Sequence, residues 1–153
     1  MNTIKKYILL VMFITFGFGL QAQNSLKIRD IFDDYSNSKG VTMVQLTNET
    51  MDGFDFTLYK SISIKNNPEL VELLQKYLLE DQKQADKVKK MESGRGDISK
   101  NTTFLILPKR NQLFRLILYK NESLNMSDQT TLLIYIETKS KPDDMLNFIL
   151  KKK

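Results

Sequence analysis

Cysteine, histidine and tryptophan are absent from the chain, proline occurs 3 times and glycine 6 times. Without histidine or cysteine there is no Ser-His-Asp or Cys-His nucleophile, no zinc site built on those ligands, no haem ligation by histidine and no redox-active thiol. A lipoprotein carries its lipid on a cysteine at the cleavage point, so the chain is not expected to be one. With no disulfides, the fold must rest on its hydrophobic core, which is feasible at 153 residues. The longest apolar run, Tyr7–Leu20, has 14 residues and falls short of the roughly 20 of a membrane-spanning helix. No P-loop or dinucleotide-binding fingerprint is present, and no cofactor is expected.

What is present begins with a segment that reads as an address. Lys5 and Lys6 precede the uncharged run Tyr7–Leu20, and Gln21-Ala22-Gln23 follows. A basic start, an apolar stretch and a small residue at the cut define a secretory signal peptide over residues 1–22. The expected location is therefore periplasmic or secreted, with one domain over residues 23–153. Its removal takes away two lysines and no acid, so the net charge falls from +5 to +3. Such a mild excess argues against a nucleic-acid partner.

Hydrophobic periodicity orders the rest. Ile28, Ile31, Phe32 and Tyr35 fall on one stripe of a short helix, and Gly40 suits its C-terminal side. Val41–Thr47 and Leu58–Ile64 read as strands, with the turn Asp52-Gly53 in an ambiguous stretch between them. Asn67-Pro68-Glu69 is a helix start: a capping asparagine, proline in the first turn, then an acid. Its stripe of Val71, Leu74, Leu78, Ala85 and Val88 predicts a long helix with a solvated lysine-rich tip. Glu92–Lys100 reads as a mobile charged loop. The Arg95-Gly96-Asp97 tripeptide within it is too short a match to imply adhesion.

Three dense apolar runs follow, Thr102–Leu107, Gln112–Lys120 and Thr130–Thr138, and Pro142 opens a last helix. The predicted fold is α+β: one domain, a mainly antiparallel sheet of four to five strands, and helices mostly on one face. Alternation gives the three runs two faces. Phe104, Ile106, Phe114, Leu116, Leu118, Leu132, Ile134 and Ile136 form a continuous apolar face, on which the helices are expected to pack. The other carries Leu105, Leu107, Leu113, Arg115, Ile117, Tyr119, Leu133, Tyr135 and Glu137, of which Leu105, Leu113, Arg115, Ile117, Tyr119, Leu133 and Tyr135 are the candidate interaction residues. If left open, it would be an interaction surface for a protein partner or a second copy.

Asp30 and Asp34 stand four apart on the first helix, but their spacing is not that of a calcium loop, so no metal site is assigned. A hydrolase using paired carboxylates needs neither histidine nor cysteine, and no particular pair is marked.

The end of the leader, Leu20-Gln21-Ala22-Gln23, is one part of a wider pattern. Ile31-Phe32 precedes Val41–Leu46, then come the Leu58–Ile64 strand, Leu113–Tyr119, Leu132–Ile136 and a terminal helix. This order resembles the small exported domains of unknown function abundant in Bacteroidota. It departs from them at Thr138-Lys139-Ser140, where glycine often follows the last strand. The resemblance implies a compact α+β envelope protein with a binding role and transfers no catalytic residue. The expected function is a non-catalytic exported interaction module. A small-ligand binder or carboxylate-dependent hydrolase is the alternative.

Overall fold

Asp52 and Gly53 adopt φ of 53° and 84°, the two positive values that a tight type I′ hairpin turn needs. They join β1 (Val41–Met51) to β2 (Phe54–Lys65), so the stretch that alternation left ambiguous is a continuous hairpin. Asn111 and Gln112, at φ 51° and 64°, turn β4 (Ile98–Arg110) into β5 (Leu113–Asn125). The remaining described strands are β3 (Lys87–Arg95) and β6 (Asp128–Thr138), and the described helices are α1 (Ile28–Asp34), α2 (Pro68–Gln82) and α3 (Pro142–Lys151). The computed structural model describes residues 25–95, 98–125 and 128–151. The expected signal peptide and the last two residues of the Arg95-Gly96-Asp97 tripeptide lie outside them.

All six strands form a single antiparallel sheet in the order β1-β2-β6-β5-β4-β3. The sheet is thus wider than the four to five strands expected. The extra strand is β3, in the region read as a lysine-rich helix tip and loop. Helix α2 opens as expected, with Asn67 Oδ1 accepting the Leu70 N–H at 3.2 Å, but it ends at Gln82. From there the Asp86 N–H donates to the Ile106 carbonyl at 2.8 Å, and Val88 pairs with Leu105. The backbone edge of β4, whose Leu105 is fully buried, needs hydrogen-bond partners. Pairing there outweighs the helical propensity of residues 83–90, which are mostly lysine, glutamine and alanine.

Helices α1 and α2 choose the opposite face from the one expected. Ile28, Ile31 and Phe32 of α1 and Leu70, Val71, Leu74 and Leu78 of α2 pack on Ile62, Ile64, Leu105, Leu107, Ile117, Tyr119, Leu133 and Tyr135. The surface expected to be open is therefore the main core. Leu105, Ile117 and Leu133 are fully buried, and Leu113 is half-buried at its end. Both faces of the central strands are apolar, so alternation alone could not assign the cover. Each buried aliphatic contributes about 1.5–3 kcal/mol. Baring three of them for a partner would cost much of a typical domain's stability.

Among the described residues, the one helix on the far face is α3, through Met145 and Leu146, over Phe104, Leu116, Leu118 and Ile136. A register irregularity between Phe56 and Leu58 turns Phe56 to this side, where it meets Tyr59 edge-on at 5.8 Å. Such a bulge re-aims one side chain without interrupting the sheet.

Candidate functional site

Three cross-strand rows run under the helices. Ile62 lies beside Leu133 and Tyr119, and Lys60 beside Tyr135 and Ile117. Leu58 lies beside Glu137, Arg115 and Leu107. The first row is sealed. The last two meet α1 at its margin, where a cleft of about 80 Å³ opens. Leu26, Ile28, Phe32 and Leu58 give it an apolar wall, and Arg29, Lys60, Arg110, Arg115, Tyr135 and Glu137 supply its polar groups. Four cations thus face one carboxylate, a net charge of +3.

Arg115 is the decisive residue. It is 5% exposed, and its Nε donates to the Pro108 carbonyl at 2.8 Å. Glu137 lies directly opposite on β6, yet its carboxylate is engaged elsewhere. It accepts the Tyr135 hydroxyl at 2.6 Å and Arg110 Nη2 at 3.1 Å. Among the described residues, no carboxylate comes within 4.0 Å of the Arg115 guanidinium. A buried cation without a counter-ion is costly, because desolvation is not repaid by a close opposite charge. A cation held at that cost beside an opening is suited to receive an anion, and guanidinium geometry favours carboxylate or phosphate.

The neighbours reinforce this character. Lys60 Nζ lies 5.8 Å from the centroid of the Phe32 ring. Burial, followed by the hydrogen bond to Glu137 and then that residue's charge, raises the Tyr135 pKa far above its ordinary value, so the hydroxyl stays a neutral donor.

Alpha helix α1 sets the apolar wall, and a distant residue anchors it. Lys27, just before the helix, offers no side-chain cap. Instead the fully buried Asp81, near the end of α2, accepts the Lys27 N–H at 2.7 Å and the Ile28 N–H at 2.9 Å. This bond pair satisfies donors that a helix start leaves open. Burial raises the Asp81 pKa despite the two backbone bonds, which act to lower it.

Of the seven residues proposed from sequence as an interaction face, Arg115 and Tyr135 come together in the cleft. Leu105, Ile117 and Leu133 are core beneath the helices, and Tyr119 accepts a hydrogen bond from Gln75 Nε2 at 2.9 Å. Leu113 lies one step beyond Arg115 in the Arg110 pair. Arg29, Lys60 and Arg110 lie outside the face read from the sequence, and Glu137 lies on that face without being one of the seven. The signal that finds Lys60 and Glu137 is their charge, with that of Arg115, at positions that alternation points inward; Arg29 and Arg110 carry no such signal. Among the described residues, no three potential ligands cluster as a metal site, so Asp30 and Asp34 join no such group. No described helix is long and apolar enough to cross a membrane.

Fold and cleft together define a small α+β domain with a six-stranded antiparallel sheet and a basic, half-apolar recess at one helix margin. The chain belongs to a family of unknown function, DUF6108, whose model matches residues 15–149. No curated protein and no solved structure matches it.

Proposed function

We propose that the protein is a non-catalytic binder of a small anion, received by Arg115 in the cleft between α1 and the sheet. The single observation carrying this reading is the buried Arg115 guanidinium, which lines an opening and, among the described residues, has no carboxylate within 4.0 Å, the opposite Glu137 being held by Tyr135 and Arg110. Arg29, Lys60 and Arg110 add long-range attraction, while Leu26, Ile28, Phe32 and Leu58 suit an apolar portion of the ligand. A small organic carboxylate with a short apolar body fits both walls. Binding is favoured over hydrolysis because a paired-carboxylate mechanism needs two acids and the cleft is lined by one, Glu137.

The setting proposed for this activity is the bacterial envelope of a Bacteroidota-type cell, reached by export. The leader-like sequence of residues 1–22 supports that location. The exported interaction module expected from sequence would have to use a surface other than the helix-covered face.

The test is thermal unfolding of the domain with sodium hexanoate, sodium phosphate or sodium chloride at matched ionic strength. At a hundred times its dissociation constant, a ligand stabilises the folded state by about 2.7 kcal/mol. Hexanoate should raise Tm, and Arg115→Met should abolish the rise. Equal Tm in all three salts, or a rise that survives Arg115→Met, would reject the proposal for this ligand class.

A further inference from the structure

The two outer strands of the sheet are defended very differently. Edge strands expose unpaired backbone groups and invite another strand, and proteins usually block this with lysine, proline or a bulge. The β3 edge has Lys87, Lys89 and Lys90 within four residues, and Lys89 Nζ also lies 4.0 Å from an Asp143 carboxylate oxygen. The β1 edge, Val41–Met51, has no lysine, arginine or proline, and Glu49 is its one charged residue. No described strand pairs with its outer side. Its regular portion extends from Val41 until Asn48, where φ is 54°.

At the middle of that portion lies Val44, which is 45% exposed. It belongs to the far face, in the row that continues through Ser61, Ile134, Leu118 and Phe104. An antiparallel partner centred on Val44 would place Val44 against its own copy and Thr42 against Leu46. Glu49 would lie outside the paired segment, so no like charges would oppose one another. A twofold axis closes such a contact on itself, whereas β1 pairing with another copy's β3 would propagate as a filament.

We infer that β1 is a self-association edge, through which two copies pair as antiparallel strands about Val44 into a continuous twelve-stranded sheet. The occupant is a second copy because the edge is self-complementary in this register and joins two apolar far faces. A seven-residue strand pair buries less than the roughly 800 Å² per partner of a standard interface. The dimer is therefore concentration-dependent. The inference is independent of the anion-binding reading, since Val44 takes no part in the cleft.

Light scattering of the mature domain across a concentration series should show mass rising from one copy to two. Val44→Lys places two ammonium groups at the axis and should hold the protein monomeric, with the circular dichroism of wild type and the Tm of wild type at its most dilute. Because the chain has no cysteine, single substitutions read the register directly. Val44→Cys should cross-link to itself under mild oxidation, whereas Thr42→Cys and Leu46→Cys should link efficiently only when mixed. A monomer mass at every concentration would overturn the inference. So would dimerisation unaffected by Val44→Lys, or equal self-linking at all three positions.

Discussion

Removal of the Asp81 carboxylate should loosen α1 and the cleft wall that it carries. Asp81 is 0% exposed and accepts two backbone N–H groups from Lys27 and Ile28. Asp81→Ala leaves both donors without this acceptor and opens a void. Hydrogen bonds to a charged group contribute about 1.5–3 kcal/mol each, partly offset by release from the cost of burying the carboxylate. A net destabilisation of about 2–4 kcal/mol is expected. Asp81→Asn retains one acceptor but turns an amide donor toward the second N–H, so its cost should be about half as large. Urea denaturation monitored by circular dichroism measures both, and an unchanged m-value would show that unfolding still exposes the same surface.

The pH dependence separates burial from hydrogen bonding at this carboxylate. Burial raises the folded-state pKa of Asp81 above the ordinary carboxylate range. An acid with a raised folded pKa contributes most stability below its unfolded pKa and loses that contribution as pH rises through the folded value. The advantage of wild type over Asp81→Asn should therefore grow as pH falls from 7 towards 4. If Asp81→Ala costs under about 0.5 kcal/mol, the ordinary range for surface substitutions, the anchoring role is wrong. If the advantage shrinks on acidification, the two backbone bonds outweigh burial and the assigned order of causes is wrong.

Three further outcomes follow from the same geometry. Gly40 has φ of 76°, and a Cβ there would run into the Lys65 carbonyl; Gly40→Ala should cost more than about 1 kcal/mol by chemical denaturation, because positive φ and a backbone clash combine. Tyr119 and Tyr135 both have raised pKa values, chiefly through burial, so the stability they confer is present below pH 10 and lost as pH rises further. Absorbance titration at alkaline pH should show these two ionising last, and Tyr135→Phe should make stability less sensitive to pH above 10. Glu137→Gln raises the net charge of the cleft lining from +3 to +4 and should tighten hexanoate binding by calorimetry, with the gain shrinking as salt is added.

Much of the architecture was legible because local chemistry and tertiary demand agreed. Asn67-Pro68 and Pro142 start helices, Asp52-Gly53 turns a hairpin, and the three dense apolar runs form the sheet centre. The losses occurred where one signal served two structures. Val88 fits the α2 stripe as well as an edge strand, and only the unmet hydrogen bonds of β4 distinguish them. Leu105, Ile117 and Leu133 on one face are matched by Phe104, Leu116 and Ile136 on the other, so the covered side depends on packing that no local pattern encodes. The cleft was half visible: Arg115 and Tyr135 were marked as anchors, but for a different task. Arg29 reaches the site from α1 and Arg110 from the end of β4, positions that no spacing in the sequence relates.

The most direct measurement is the apo stability and hexanoate response of Arg115→Met beside wild type, both by thermal unfolding and by calorimetric titration. Replacing a buried cation that lacks a carboxylate partner with an apolar side chain of similar length should leave apo stability equal or higher. The same change should abolish hexanoate binding. That combination, stability kept and binding lost, is what a residue retained for a ligand predicts. An apo protein destabilised by about 3 kcal/mol or more, as when a structural buried pair is broken, with hexanoate binding absent from wild type as well, would contradict the account and make Arg115 a structural residue of the core.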